Sequence, residues 1–156
     1  DNDVVAVTDS TRQAKFLGIK PDTYYLYEVT DFDYYYGIGD MNLITVDAAE
    51  TVNYQAINKL KQGTIIIEKK WENTNDVQGK VSFKLKRVNE AHETLAFTDR
   101  IVESDENGVV TFNNVPYGNY EVSEVSGPTG WTPVEEKVNV ALFAPEVRKE
   151  YTNKLS

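Results

Sequence analysis

The chain has no cysteine, one histidine and one methionine in 156 residues. Without cysteine there is neither a disulfide nor a thiolate metal site, and the redox compartment is left open. Any covalent bracing must therefore come from other chemistry. The single histidine, His92, sits in the polar stretch 89–94, and a catalytic triad or a histidine-based zinc site would need more than that. Basic residues are also scarce: 16 Lys and Arg against 25 Asp and Glu leave a formal charge of −9. That balance argues against a nucleic-acid partner, because phosphate binding needs clustered cations. It argues equally against docking on an anionic membrane surface. No apolar run approaches the ~18 residues that span a bilayer. Neither a signal peptide nor a sorting tail is recognisable, so the expectation is an internal piece of a longer protein. Helix signals are nearly missing too.

What remains is strand. The composition is 40% hydrophobic, enough to bury a core. Its long periodic segments alternate with period two and are rich in Val, Ile, Thr, Tyr and Phe. In 63–71, Ile65, Ile67, Lys69 and Trp71 share one face while Ile66, Glu68 and Lys70 share the other. The same alternation runs through Val81, Phe83 and Leu85, through Tyr120, Val122 and Glu124, through Val138, Val140 and Leu142, and through Tyr151, Asn153 and Leu155. Turn residues fall between these runs, and Asp105-Glu106-Asn107-Gly108 predicts a hairpin. Roughly seven short strands at regular spacing predict an all-β, immunoglobulin-like β-sandwich.

The chain also repeats itself. Asp9, Phe16, Tyr24, Glu28 and Val29 return 96 residues later as Asp105, Phe112, Tyr120, Glu124 and Val125, and Asn58-Lys59-Leu60 returns 95 residues later as Asn153-Lys154-Leu155. The expected map is a complete domain over 63–156, preceded over 1–62 by the C-terminal half of a similar one. The opening strands of that half are missing, and since half a sandwich cannot bury its own face, an absent segment or another chain is expected to complete it.

Three polar residues stand where apolar ones belong: Lys69, Glu124 and Asn153. Each lies near a strand end, where reaching solvent is the simpler expectation for any one alone. An amine, an acid and a carboxamide on the first, a middle and the last strand point instead to one shared site. Here the residues resemble a family. Ile67-Glu68-Lys69-Lys70-Trp71, then Tyr120-Glu121-Val122-Ser123-Glu124 with Pro128-Thr129-Gly130-Trp131, then Tyr151-Thr152-Asn153-Lys154 are similar, in this order, to the collagen-adhesin B-type (SpaA-like) domains of Gram-positive surface adhesins and pilins. The resemblance implies sandwich repeats in tandem and an intramolecular isopeptide bond between Lys69 and Asn153, with Glu124 assisting. Lys70, the rival amine, falls on the outer face. In the partial unit the equivalents are Glu28 and Asn58, with the lysine partner absent; Lys15 aligns with Thr111 and cannot replace it. Burial disfavours the charged forms of amine and acid alike, and a neutral amine is a nucleophile where ammonium is not. Such a bond forms once per molecule, so the chain is not expected to be an enzyme.

The resemblance further implies a stalk or shaft repeat at the cell wall or cell surface. Its expected partners are neighbouring repeats of the same polypeptide or pilus, with a host protein or glycan held by other domains. Two further readings compete. Tyr24, Tyr25, Tyr27, Tyr34, Tyr35 and Tyr36 form a dense cluster that suits a ligand-binding face. An accessory sandwich of a secreted carbohydrate-active enzyme would leave Lys69 and Asn153 free. No cofactor or metal is expected. Asp105, Asn107 and Gly108 only faintly resemble a calcium loop, lacking its twelve-residue spacing and final Glu. Asp31, Asp33 and Asp40 are no stronger as a calcium set.

Overall fold

In the computed structural model, residues 3–29, 32–88, 96–132 and 137–155 are described. They contain strands, turns and no helix. The chain divides into two compact units: Asp1–Asp31 with Gly37–Asn58, and Phe32–Tyr36 with Lys59–Ser156.

The second unit is a β-sandwich. Its strands are β3 (Gln62–Trp71), β4 (Ser82–Arg87), β5 (Arg100–Glu103), β6 (Val109–Pro116), β7 (Gly118–Ser126), β8 (Trp131–Thr132), β9 (Val138–Leu142) and β10 (Glu146–Leu155). One sheet has the order β6-β3-β10-β8, the other β5-β4-β7-β9. The alternating residues turn inward between the sheets, so Ile65, Ile67, Phe83, Leu85, Tyr120 and Val122 are fully buried. The expected immunoglobulin-like sandwich is the fold observed.

Two features position the site. First, the opening strand β3 and the closing strand β10 are neighbours and run parallel, with Lys69 opposite Tyr151 and Trp71 opposite Asn153. Second, β7 lies in the facing sheet, paired with β4 so that Phe83 is opposite Glu124. The turn predicted at 105–108 forms: Asp105 N–H donates to Val109 O at 2.9 Å, and Gly108 adopts φ 78°. It is not a hairpin, however. It carries the chain from β5 in one sheet to β6 in the other, because β5 pairs with β4 and β6 with β3.

The first unit holds a two-stranded antiparallel sheet, β1 (Asp22–Leu26) with β2 (Asn42–Val46). Its register is that of β7 with β9 once 96 is added to each position. Asp22 faces Val46, Tyr24 faces Ile44 and Leu26 faces Asn42, as Gly118 faces Leu142, Tyr120 faces Val140 and Val122 faces Val138. The likeness extends to single hydrogen bonds. Tyr24 donates its hydroxyl to Lys20 O as Tyr120 does to Pro116 O. The Asp9 carboxylate accepts from the N–H groups of Thr11 and Gln13, as Asp105 accepts from those of Asn107 and Val109. Arg12, at φ 65°, takes the left-handed position that Gly108 fills in the second turn.

Candidate functional site

The site lies inside the sandwich of the second unit, towards the C-terminal ends of β3 and β10. Alternation sends Lys69 inward two residues after Ile67, Asn153 inward two after Tyr151, and Glu124 inward two after Val122. Lys69 Nζ stands 2.7 Å from Glu124 Oε2, with the two side chains 0% and 2% exposed. Asn153, itself buried, donates from Nδ2 to Glu124 Oε1 at 3.0 Å. The acid thus holds the amine on one oxygen and the amide on the other. Lys70 points out, 4.0 Å from Glu68 on the solvent side, as its place in the alternation requires.

Aromatic rings wall the amine. Its Nζ is 5.0 Å from the centre of the Trp71 ring, 5.1 Å from Tyr151 and 5.8 Å from Phe83. Trp131 closes over Trp71 edge to face, 4.9 Å between centroids. Burial among these rings lowers the pKa of Lys69 below the ordinary lysine value; the hydrogen bond and the charge of Glu124 act in the opposite sense and are the smaller effects. Gly127 leaves room for the acid: a Cβ there would fall 2.9 Å from Glu124 Oε1. Among the described residues, Asn153 Oδ1 and Trp71 Nε1 are buried without a hydrogen-bond partner. A half-turn of the Asn153 amide exchanges Nδ2 and Oδ1, which puts the carbonyl oxygen where it can accept from a protonated Glu124. The enclosing rings are the part of the site that sequence reasoning missed. Their signal was available for Trp71 and Tyr151, each two residues from a site residue, but not for Phe83, which belongs to the facing sheet.

The first unit contains a second, similar pair. Asn58 Nδ2 donates to Glu28 Oε1 at 2.7 Å, and the same oxygen accepts from Ile38 N–H at 3.0 Å. Glu28 and Asn58 are thus in contact, as Glu124 and Asn153 are.

The family model for the SpaA prealbumin-like fold domain matches residues 63–154. The chain belongs to this family. Among solved structures, this SpaA-domain chain is similar to the pilus 2b backbone protein of group B streptococcus, at 16% identity and TM-score 0.53 over 72% of this chain and 47% of that one. It is also similar to BcpA, the major pilin subunit of Bacillus cereus, at 21% identity and TM-score 0.52, over 65% and 33% of the two chains. A third is the major pilin SpaD of Corynebacterium diphtheriae, at 19% identity and TM-score 0.52, over 61% and 30%. The SpaA-domain chain therefore spans less than half the length of each of these proteins, and at such identities the likeness is one of fold. No curated protein sequence matches it.

The remaining candidates are distributed as follows. Tyr25 and Tyr27 are exposed in the first unit, Tyr27 donating to Asp3 Oδ2 at 2.7 Å. In the second unit Tyr34 packs edge-on against Phe143 and Tyr35 bridges to Leu60, the counterpart of Trp131 beside Leu155. The tyrosines thus divide between the units and do not form one element. No group of three or more His, Asp or Glu is placed to hold a metal among the described residues; His92 and Asp31 lie outside them.

Proposed function

We propose that this chain is a structural repeat of a surface stalk or pilus shaft, outside the cell and at its wall, cross-linked by an amide between Lys69 and Asn153. In this reading residues 63–156 form the complete domain and residues 1–62 the second half of another. The observation that carries it is the amine–acid–amide contact enclosed in a dry core, between the first strand of a sandwich and its last. Left unreacted, such a trio costs several kcal/mol of desolvation, an expense that an ordinary sandwich would avoid with three apolar residues. The pilin identity of the fold neighbours supports the setting.

The chemistry follows from the geometry. Transfer of one proton along the 2.7 Å contact converts ammonium and carboxylate into neutral amine and carboxylic acid, the pair that a dry site favours. Glu124, now a donor, polarises the Asn153 carbonyl, and Nζ adds to Cγ. A C–N bond forms to Lys69, the Cγ–Nδ2 bond breaks, and Nδ2 leaves as ammonia with the proton that Glu124 relays. Amine plus carboxamide become a secondary amide plus ammonia, with no cofactor or oxidant needed. The event occurs once, so it matures the protein and turns nothing over.

Intact mass spectrometry tests this directly. The mature chain should weigh one ammonia less than its sequence, and Glu124→Ala should restore the full mass. A wild-type chain at full mass would remove the cross-link and leave a sandwich without a stated role.

A further inference from the structure

We propose that the turn at 105–108 sets the place of the Lys69 amine, with Asp105 and Gly108 as positioning residues for the cross-linking step. The inference rests on the reading of Lys69 and Asn153 as a reacting pair. Its own support is a backbone contact. The ladder between β3 and β6 ends where Glu68 faces Val109. One residue further on, Lys69 N–H donates to Gly108 O at 2.9 Å, so on that side the reactive residue is held by the turn. The other reactant is held in a similar way, since Asn153 O accepts from Glu72 N–H at 2.8 Å.

Gly108 is buried against Lys69. A Cβ there would lie 3.4 Å from Lys69 O, 3.5 Å from Lys69 Cβ and 3.8 Å from Val77 Cγ2, which leaves no room for a longer side chain. The turn by itself does not ask for glycine. Its counterpart at 9–12 closes with the same bonds, Asp9 N–H to Gln13 O and Arg12 N–H to Asp9 O. There an exposed arginine takes φ 65° where Gly108 takes φ 78°. What a side chain at 108 would meet is Lys69, so the glycine answers to the reactive residue and not to the turn.

Asp105 keeps the turn in one shape. Its Oδ1 accepts from Asn107 N–H at 2.8 Å and from Val109 N–H at 2.9 Å, the amides on either side of Gly108. Just before it, Ser104 N–H donates to Val81 O at 2.7 Å, and Ser104 Oγ accepts from Val81 N–H at 3.0 Å. Those two bonds tie the turn to the approach of β4. Contacts therefore run from Asp105 through Gly108 O to the base of a long, flexible side chain whose tip stands 2.7 Å from Glu124. A shift of that base moves Nζ relative to Asn153 Cγ, and a misplacement of about 1 Å can cost about a hundredfold in rate.

The test is the rate of ammonia loss in freshly refolded, unreacted full chain, with urea unfolding of each variant in the Asn153→Ala background as the measure of stability. Asp105→Ala and Gly108→Arg should slow the loss at least about tenfold. Asp105→Asn, which keeps an acceptor oxygen, should hold the wild-type rate. Val140→Ala is the control: Val140 is buried on β9 opposite Tyr120, so the change lowers stability without touching the turn, and its rate should stay near that of the wild type. In the Asn153→Ala chain, hydrogen exchange at Lys69 N–H should be faster with Asp105→Ala, a reading of the contact that stands even if Gly108→Arg does not fold. Asp105→Ala losing ammonia as fast as Val140→Ala would overturn the inference and leave the cross-link standing. So would Asp105→Asn as slow as Asp105→Ala, or unchanged exchange at Lys69. A wild-type chain that never loses ammonia removes the reading of the reacting pair, and the inference with it.

Discussion

In the proposed reaction Lys69 would serve as a nucleophile because it is poorly placed as a cation. Three rings and a dry sheet interior strip its water and lower its pKa, so at any given pH a larger share is neutral than for a lysine in solvent. The reactive pair holds one shared proton, so in freshly refolded, unreacted chain the rate of ammonia loss should fall once pH rises far enough to remove it, because Glu124 then cannot donate to the Asn153 carbonyl; a rate that keeps rising with pH would contradict this. The sign for stability follows from linkage. In an Asn153→Ala chain the amine cannot react, and the unfolded state then binds the Lys69 proton more tightly than the folded one. The Lys69 contribution to stability should therefore grow with pH through the window beneath 10.5 and weaken towards acid. Urea unfolding of Asn153→Ala across that range measures it. The polar trio was legible from sequence because each member breaks an apolar alternation, and a polar residue on a buried face needs a partner. Which oxygen of Glu124 meets which neighbour was not legible, since that depends on how the two sheets face one another.

At the level of the strands, period-two patterning made the burial of β4, β7 and β9 readable, because each has one dry face and one wetter one; in β3 it placed the inward residues, but Ile66 on the outer face is buried as well. Arg100–Glu103 has only half-buried and exposed residues and gave no such pattern; β5 went unpredicted. Sheet exchange was equally hidden. The residues at 105–108 specify a tight turn, but local turn chemistry does not say whether the next strand stays in its sheet or crosses to the other. Here it crosses. The repeat, by contrast, proved deeper than its identities suggested, since five consecutive pairings of β1 with β2 recur in β7 with β9. Within β4, Phe83 is the piece that joins fold and site: it is fully buried, packs edge-on against Tyr151 at 4.8 Å, and walls the amine. In an uncross-linked Asn153→Ala background, Phe83→Ala should cost about 3–5 kcal/mol in urea unfolding. In the wild-type background the same change should slow ammonia loss, because water then reaches Nζ.

For the molecule as a whole, an amide from Lys69 to Asn153 would close a loop of 84 residues. The loop-entropy treatment used for disulfides gives roughly 4.5 kcal/mol for a closure of that length. Single-molecule stretching of the second unit should find those residues inextensible in the mature chain. Glu124→Ala should release on the order of 280 Å of additional contour length; equal lengths from the two proteins would exclude the closure. The parallel run of β3 beside β10 then acquires a further meaning. Because the two strands point the same way, the polypeptide enters the sandwich at one pole and departs from the other, so with the proposed amide in place tension would travel up part of β3, step sideways once, and exit. Most of the sandwich is off that route, as spectators of the pull. Loops between 70 and 152 that lie away from Trp71, Phe83, Glu124 and Tyr151 could then be lengthened, shortened or decorated without weakening the rope, which would leave one module free to diversify its surface while its tensile line stays the same.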